Sequence, residues 1–386
     1  MSEQPVAIFI PSVHGGGAER AMLNFAEELI RRGICVELVL AKLEGAWKSM
    51  IPSELPIVNL GVRRMAWAVL PLARYLRANR PKILLSTISH ANVAAVIAKH
   101  ISGCDIPVVI RQSNTAREEY KESLGAKLIG GMIPHIYSYA DAIIAVSKSV
   151  EEDLIRMRPK LSHLIKVIPT PALNPKIYQH AEELPRHPWF QEKTVPIVVS
   201  VGRLRPHKGM YDLLRAFLCV RRSTVARLII VGEGDDRSRL ESFIEQNGLK
   251  DDVHLVGFTA NPFSFMKHSD VFVLASHYEG LPNVLIQALS LGVAVVATDS
   301  PGGVREVLAN GRFGWLVPVG EPDVLAQAIV KSLGETKKNC DQPDHLSRYN
   351  VQDATDRYVS LMNSAMNNRG RVRQESGRDV GPVDYD

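Results

Sequence analysis

Short, unbroken apolar runs alternate along this chain with longer stretches in which apolar residues recur every three or four positions. Runs without polar alternation predict parallel strands covered on both faces. In the first half they are Val6–Ile10, Val36–Leu40, Ile57–Leu60, Ile83–Ser86, Val108–Ile110, Ala142–Val146 and Lys166–Ile168. In the second half they are Ile197–Val201, Leu228–Val231, Val253–Val256, Val271–Leu274, Ala294–Ala297 and Trp315–Val317. The intervening segments read as amphipathic helices. Ala18–Arg32 places Met22, Phe25, Ala26 and Leu29 on one face, and Tyr211–Val220 does the same with Leu214, Phe217 and Leu218. Strand–helix alternation predicts right-handed crossovers and open parallel sheets. The proline-spaced stretch from Pro169 to Pro196 reads as a linker. The prediction is therefore α/β, with two Rossmann-like domains, 1–172 and 196–350, facing across a cleft and joined by 173–195. Residues 368–386 are polar and glycine-containing and are predicted to be disordered.

The densest candidate chemistry lies in Ser276-His-Tyr-Glu279-Gly280-Leu281-Pro-Asn283-Val284, which joins an apolar strand to the helix Asn283–Leu291. Pro282 suits a first helical turn, where its missing N–H costs nothing. The free N–H groups of that turn and the helix dipole make an anion cradle, with Glu279 beside it and Gln287 about two turns along. Cradle, carboxylate and amide together suit a nucleotide-sugar. A second cluster, Gly202-Arg203-Leu-Arg205-Pro-His207-Lys208-Gly209, closes the first strand of the second half. There Arg203 offers a planar fork and Lys208 a mobile charge for a diphosphate. The glycine-rich turn Gly15-Gly16-Gly17-Ala18-Glu19-Arg20 follows the first strand but lacks the spacing of a dinucleotide fingerprint.

These runs resemble the retaining GT-B glycosyltransferases of family four, also called group 1. The family pattern is two glutamates separated by seven residues; Glu279 matches the first, and Gln287 stands at the second. The resemblance implies a GT-B fold whose last helix, 351–367, crosses back to the N-terminal domain. It implies that Glu279 lies against the donor sugar and that position 287 holds the ribose hydroxyls. A glutamine bonds a hydroxyl without the charge a carboxylate adds. Arg203 and Lys208 match the element that holds the donor diphosphate. Gly16 and Gly17 match the first loop. Gly232, Val256 and Phe258 match the nucleotide-side turns, and Glu306 matches a glutamate near the donor. Gly280, Leu281, Asn283 and Val284 complete the donor set. Glu279, Arg203 and Lys208 are the predicted catalytic residues. The family's acceptor-loop histidine is replaced by Arg111-Gln-Ser-Asn114. Arg111, Asn114 and His90 are the acceptor candidates.

Bulk properties narrow the setting. Of the 386 residues, 46% are apolar and 23% charged, and the net charge is +5, which permits an anionic partner without demanding one. Four scattered cysteines read as reduced thiols of a cytoplasmic protein. No apolar stretch is long enough to span a bilayer. Histidines and cysteines show no metal-ligand spacing, and a D-x-D occurs only as Asp384-Tyr-Asp386, so neither metal nor cofactor is expected. Aromatic residues make up only 6%, which argues against nucleic acid. The segment 62–77 mixes arginines with large apolar residues and is a candidate for lying on an anionic membrane on its inner face. The predicted activity is transfer of a sugar from a nucleotide-sugar, UDP-linked, to a saccharide or lipid-linked acceptor in surface-glycan synthesis. An epimerase or phosphorylase on the same fold, and a non-catalytic nucleotide-sugar-binding protein, are the alternatives.

Overall fold

Each of the thirteen apolar runs forms a strand in the computed structural model, which describes residues 4–14, 16–119, 124–334 and 343–376. The first seven are β1 (Val6–Ile10), β2 (Val36–Leu40), β3 (Ile57–Asn59), β4 (Ile83–Thr87), β5 (Val108–Gln112), β6 (Ala142–Ala145) and β7 (Ile165–Val167). They form one sheet in the order β3-β2-β1-β4-β5-β6-β7. The other six are β8 (Ile197–Val201), β9 (Arg227–Val231), β10 (Val253–Gly257), β11 (Val271–Leu274), β12 (Ala294–Thr298) and β13 (Trp315–Val317). Their sheet runs β10-β9-β8-β11-β12-β13. Every pairing is parallel, with Val6 set beside both Val36 and Ile83, and Val271 beside Val198. The central strands are buried along their whole length, which is why they carry no polar alternation.

Strand order reverses between β1 and β4 in the first sheet and between β8 and β11 in the second. Loops leaving the carboxyl ends of strands at such a reversal open a crevice where ligands bind in α/β sheets. The glycine-rich turn and the His90 segment lie at the first reversal. The Lys208 and Glu279 segments lie at the second.

The chain crosses between the domains twice, and the two crossings lie side by side. Leu173 bridges Asn350 in parallel. The N–H groups of Ala172 and Leu173 both donate to the Tyr349 carbonyl at 3.0 Å, and Val351 N donates back to Leu173 O at 2.9 Å. Beyond this point the helix Val351–Ser376 returns to the first domain and packs on Gly17–Arg31. Tyr358 is fully buried there with its ring 5.0 Å from Phe25, and Met362 and Ala365 follow it into the same core. The helix runs to Ser376 rather than ending at 367, so residues 368–376 are helical where disorder was expected; 377–386, with the D-x-D, lie outside the described residues. A helix already nucleated by its docked turns extends through polar residues without a new nucleus.

One guanidinium ties these parts together. Arg111, at the end of β5, is 1% exposed. It donates to Tyr358 Oη at 2.8 Å, to Thr87 Oγ1 at 3.0 Å and to Thr170 Oγ1 at 2.6 Å. Its partners are therefore the returning helix, β4 and the first crossing. Hydrogen bonds to a charged group are worth more than neutral ones, and none of these donors has water as an alternative. Arg111→Met is expected to lower stability by about 3 kcal/mol in urea unfolding and to expose the C-terminal helix to protease first. A loss under about 1 kcal/mol with an unchanged digestion pattern would contradict this assignment.

Candidate active site

At the second reversal the loops after β8 and β11 meet in an ion pair. Lys208 Nζ donates to Glu279 Oε1 at 2.7 Å, and Ser276 Oγ donates to the same oxygen at 2.7 Å. Glu279 is only 5% exposed, so its charge depends on these two donors. The short turn Pro206–Lys208 ends at Gly209, whose φ of 64° and close approach to the Ala275 carbonyl, 1.9 Å from where a Cβ would lie, restrict that position to glycine. His277 N donates to His207 O at 2.7 Å, stitching the two loops together, and the His207 ring stacks on Tyr278 at 4.8 Å. Burial, and then the Lys208 cation, push the His207 pKa down to about 4, with Arg203 acting in the same direction. Arg203 stands on the same loop, half-buried, and its side chain has no hydrogen bond or ion pair among the described residues.

The helix Asn283–Ser290 begins beside this pair. Pro282 is its N-cap rather than a first-turn residue. Leu285 N and Ile286 N both bond back to Pro282 O, so the N–H groups of Asn283 and Val284 precede the internal ladder. Arg203, Lys208 and these N–H groups thus present positive charge at one end of the second sheet.

The first domain closes directly onto this loop. A Cβ on Gly280 would lie 1.8 Å from Ser113 O, and the Gly280 carbonyl accepts from Ser147 Oγ of the first domain at 3.0 Å and from Gly303 N at 2.8 Å. Asn283 Nδ2 donates across the seam to Gly17 O at 3.0 Å. Gly16 is buried beside it, and Gly15 lies outside the described residues. On the far side Trp47 meets Phe258 edge-to-face at 5.1 Å.

Two family assignments cover the chain: residues 15–172 match Glycosyltransferase Family 4, and residues 183–349 match Glycosyl transferases group 1. The chain belongs to the group 1 glycosyltransferases. This glycosyltransferase is 29% identical over 349 residues, 86% of its own length and 91% of the other's, to an N-acetylgalactosamine-N,N'-diacetylbacillosaminyl-diphospho-undecaprenol 4-alpha-N-acetylgalactosaminyltransferase of Campylobacter jejuni. It is 32% identical over 247 residues to an uncharacterized glycosyltransferase of Methanocaldococcus jannaschii, a match that spans 61% of this chain and 60% of that one. Its fold is that of Anabaena HepE in complex with UDP-glucose, with a TM-score of 0.77, 20% identity and coverage of 94% and 100% of the two chains. Staphylococcus aureus TarM, crystallised with UDP, gives a TM-score of 0.75 at 12% identity, covering 93% of this chain and 100% of that one.

Several residues of the glycosyltransferase stand elsewhere than the sequence suggests. Arg111 does not reach the cleft, because it is 1% exposed and held by Tyr358, Thr87 and Thr170. Gln287 is 5% exposed and gives one Nε2 hydrogen to the Ala172 carbonyl at 3.2 Å, so its amide is tied to the hinge rather than turned wholly to a ribose. A carboxylate could not make that bond, since both its oxygens are acceptors. Glu306 spends one oxygen on Lys148 N at 3.1 Å and the other on Arg348, so it caps a first-domain helix rather than facing a donor. Leu281 is buried at 7% and packs against Gly303, a core contact rather than a ligand contact. Gly232 and Val256 remain at the carboxyl ends of β9 and β10, and Phe258 is 41% exposed just beyond. Asn114 is half-buried near Gly280. His90 is exposed on the first turn of the helix Ser89–Ser102, yet desolvation by the surrounding protein lowers its pKa. It follows Ile88, whose φ of 78° is a strained conformation for a β-branched residue.

Sequence reasoning missed Ser276, Ser113 and Ser147. Only Ser147 carried a signal: it precedes a helix as an N-cap, and its hydroxyl accepts from Val150 N. Among the described residues no group of His, Cys, Asp and Glu side chains is placed to hold a metal ion.

Two measurements follow from this geometry. Gly280→Ala is expected to force the domains apart at Ser113, seen as an increased radius of gyration in X-ray scattering; an unchanged scattering curve would mean that the seam is not closed in solution. His207 keeps a pKa of about 4 against an ordinary 6.5, so the unfolded chain takes up its proton first as pH falls. Stability is then complete above about 6.5 and declines towards pH 4, and His207→Phe is expected to remove about 2 kcal/mol of that decline after allowing for partial exposure. Equal slopes in the two proteins would exclude His207 as the source.

Proposed function

We propose that this glycosyltransferase moves a sugar, with retention of anomeric configuration, from a UDP-sugar to a saccharide carried on a diphosphate-linked lipid or a similar surface-glycan precursor. The observation that carries the reading is the Lys208–Glu279 pair at the start of the Asn283–Ser290 helix. A donor diphosphate entering there meets Lys208, Arg203 and the free N–H groups of Asn283 and Val284. As the bond from the sugar carbon to the phosphate oxygen breaks, negative charge grows on that oxygen, and these donors are already in place to hold it. This readiness is set when the donor binds: Lys208 exchanges Glu279 for phosphate, and the released carboxylate accepts hydroxyls of the sugar before the bond breaks. No metal is needed for this charge balance. The acceptor hydroxyl approaches from the first domain past His90 and Asn114, forms its bond to the same sugar carbon and gives its proton to the departing phosphate oxygen, while closure at Gly280 excludes water that would hydrolyse the donor.

The donor is supported by the UDP and UDP-glucose bound to the two structural neighbours, and the acceptor class by the name of the Campylobacter relative. Thermal-shift titration with a panel of UDP-sugars should raise the melting temperature for the true donor. Lys208→Ala, folded, should lose about 10²–10³-fold in kcat/KM. Activity within about threefold of the parent would sink the diphosphate role.

The surface of the first domain fits a lipid-linked acceptor. Among the described residues no helix is long and apolar enough to cross a membrane. Within 62–77 the structure sorts the side chains: Leu72, Tyr75 and Leu76 are buried, while Trp67 at 61% and Leu70 at 56% are exposed beside the exposed Arg63, Arg64 and Arg74. Arg77 instead binds the Ile101 and Ser102 carbonyls, next to a further exposed apolar side chain, Ile101. Such a face suits peripheral contact with an anionic bilayer, each basic residue adding about 1 kcal/mol. Flotation with phosphatidylglycerol vesicles should recover the protein at low salt, and Arg63→Ala with Arg64→Ala should reduce recovery severalfold. Equal recovery on neutral vesicles would remove the electrostatic contact.

A further inference from the structure

We propose that a cavity on the domain seam, built around Arg20, binds a phosphate or carboxylate oxyanion at a place separate from the Lys208 site. The cavity holds about 360 Å³ and lies between the helix Gly17–Arg31, the turn at Trp47 and the linker segment around Lys176 and His180. The Arg20 guanidinium lies over two rings, 4.8 Å from the centre of Trp47 in the first domain and 4.5 Å from that of Phe263 in the second. Rings engage the faces of a guanidinium and leave its in-plane N–H fork free. Among the described residues nothing takes that fork, for the Arg20 side chain has no hydrogen bond and no ion pair. Burial without an anion lowers its pKa to about 10. The neighbouring Trp47 is 5% exposed and its indole N–H also lacks an acceptor.

The other charges of the cavity do not answer Arg20. Glu27 is paired with Lys176, and His180 with Glu183. Glu54, on the rim, is exposed and its charge is screened by water. What remains is a half-buried fork lacking the bidentate acceptor its geometry fits, which a phosphate or carboxylate supplies. Because Arg20 touches Phe263, and Trp47 touches both Arg20 and Phe258, an anion held here also favours the closed seam. The ligand is either a free small anion or the diphosphate of a lipid-linked acceptor; only the second source rests on the function proposed above.

Calorimetry on the full chain separates the cases. With UDP saturating, inorganic pyrophosphate should still bind, about tenfold more weakly in Arg20→Gln and within about twofold of the parent in Lys208→Ala. Geranyl diphosphate binding about tenfold tighter than pyrophosphate assigns the site to a lipid-linked acceptor, and equal affinity assigns it to a free anion. If Arg20→Gln does not fold, Arg20→Lys decides, because it keeps the charge and loses the fork: weakening of about fivefold supports the site and unchanged affinity overturns it. Abolition of pyrophosphate binding by UDP, or affinity unaffected by Arg20→Gln, also overturns it. A chain that ignores UDP yet binds pyrophosphate through Arg20 keeps this site and sinks the donor reading instead.

Discussion

Two stretches of backbone pass between the domains, and the arrangement of every functional group depends on their being held together. The Leu173–Asn350 bridge pairs them, and Arg111 fastens the first crossing and the returning helix to the middle of the first sheet. The guanidinium is buried among hydroxyls rather than beside a carboxylate, so its charge is stabilised only while all three partners stay in place. That makes the hinge a definite geometry rather than a loose tether. Gln287 extends the same logic into the second domain, joining the helix behind Glu279 to the Ala172 carbonyl at the hinge.

From this frame the site follows by topology. Each sheet reverses its strand order once, and the two crevices so formed face each other across the seam at Gly280, Asn283 and Gly17. The second crevice gathers the cations and the helix start; the first offers His90 on a strained elbow. Lys208 and Glu279 neutralise each other while no anion is bound, which spares the burial of an isolated carboxylate. In the proposed donor mode a phosphate would compete for the same lysine, making donor binding and release of the Glu279 carboxylate one event. The Lys208–Glu279 pair and the Asn283 contact to the first domain lie within one short stretch of chain, so domain closure and the arrangement of the pair are linked.

Much of this was legible in the chain. Unbroken apolar runs such as Ile197–Val201 and Val271–Leu274 have one solution, a parallel strand covered on both faces, and the reversal points then place Lys208 and Glu279 together. Gly209 and Gly280 stand inside the runs that the sequence singles out, but their close approach to Ala275 and Ser113 shows only in the structure. What was not legible depends on partners far along the chain. Arg111 reads as a loop cation until Tyr358, 247 residues later, is seen to accept from it. Glu306 reads as a donor-side glutamate, but it bonds the start of the helix at Lys148. Gln287 reads as an altered ribose contact, and its amide is instead suited to a carbonyl that only the fold brings near. In each case a polar side chain chose between solvent, ligand and a buried partner, and one-dimensional pattern carries no information on the third option.

The most direct measurement is a crystal structure of this glycosyltransferase with UDP. The diphosphate is expected within about 3 Å of Lys208 Nζ and of the N–H groups of Asn283 and Val284, with Lys208 drawn away from Glu279. A diphosphate seated away from these groups, with the Lys208–Glu279 pair intact, would contradict that placement.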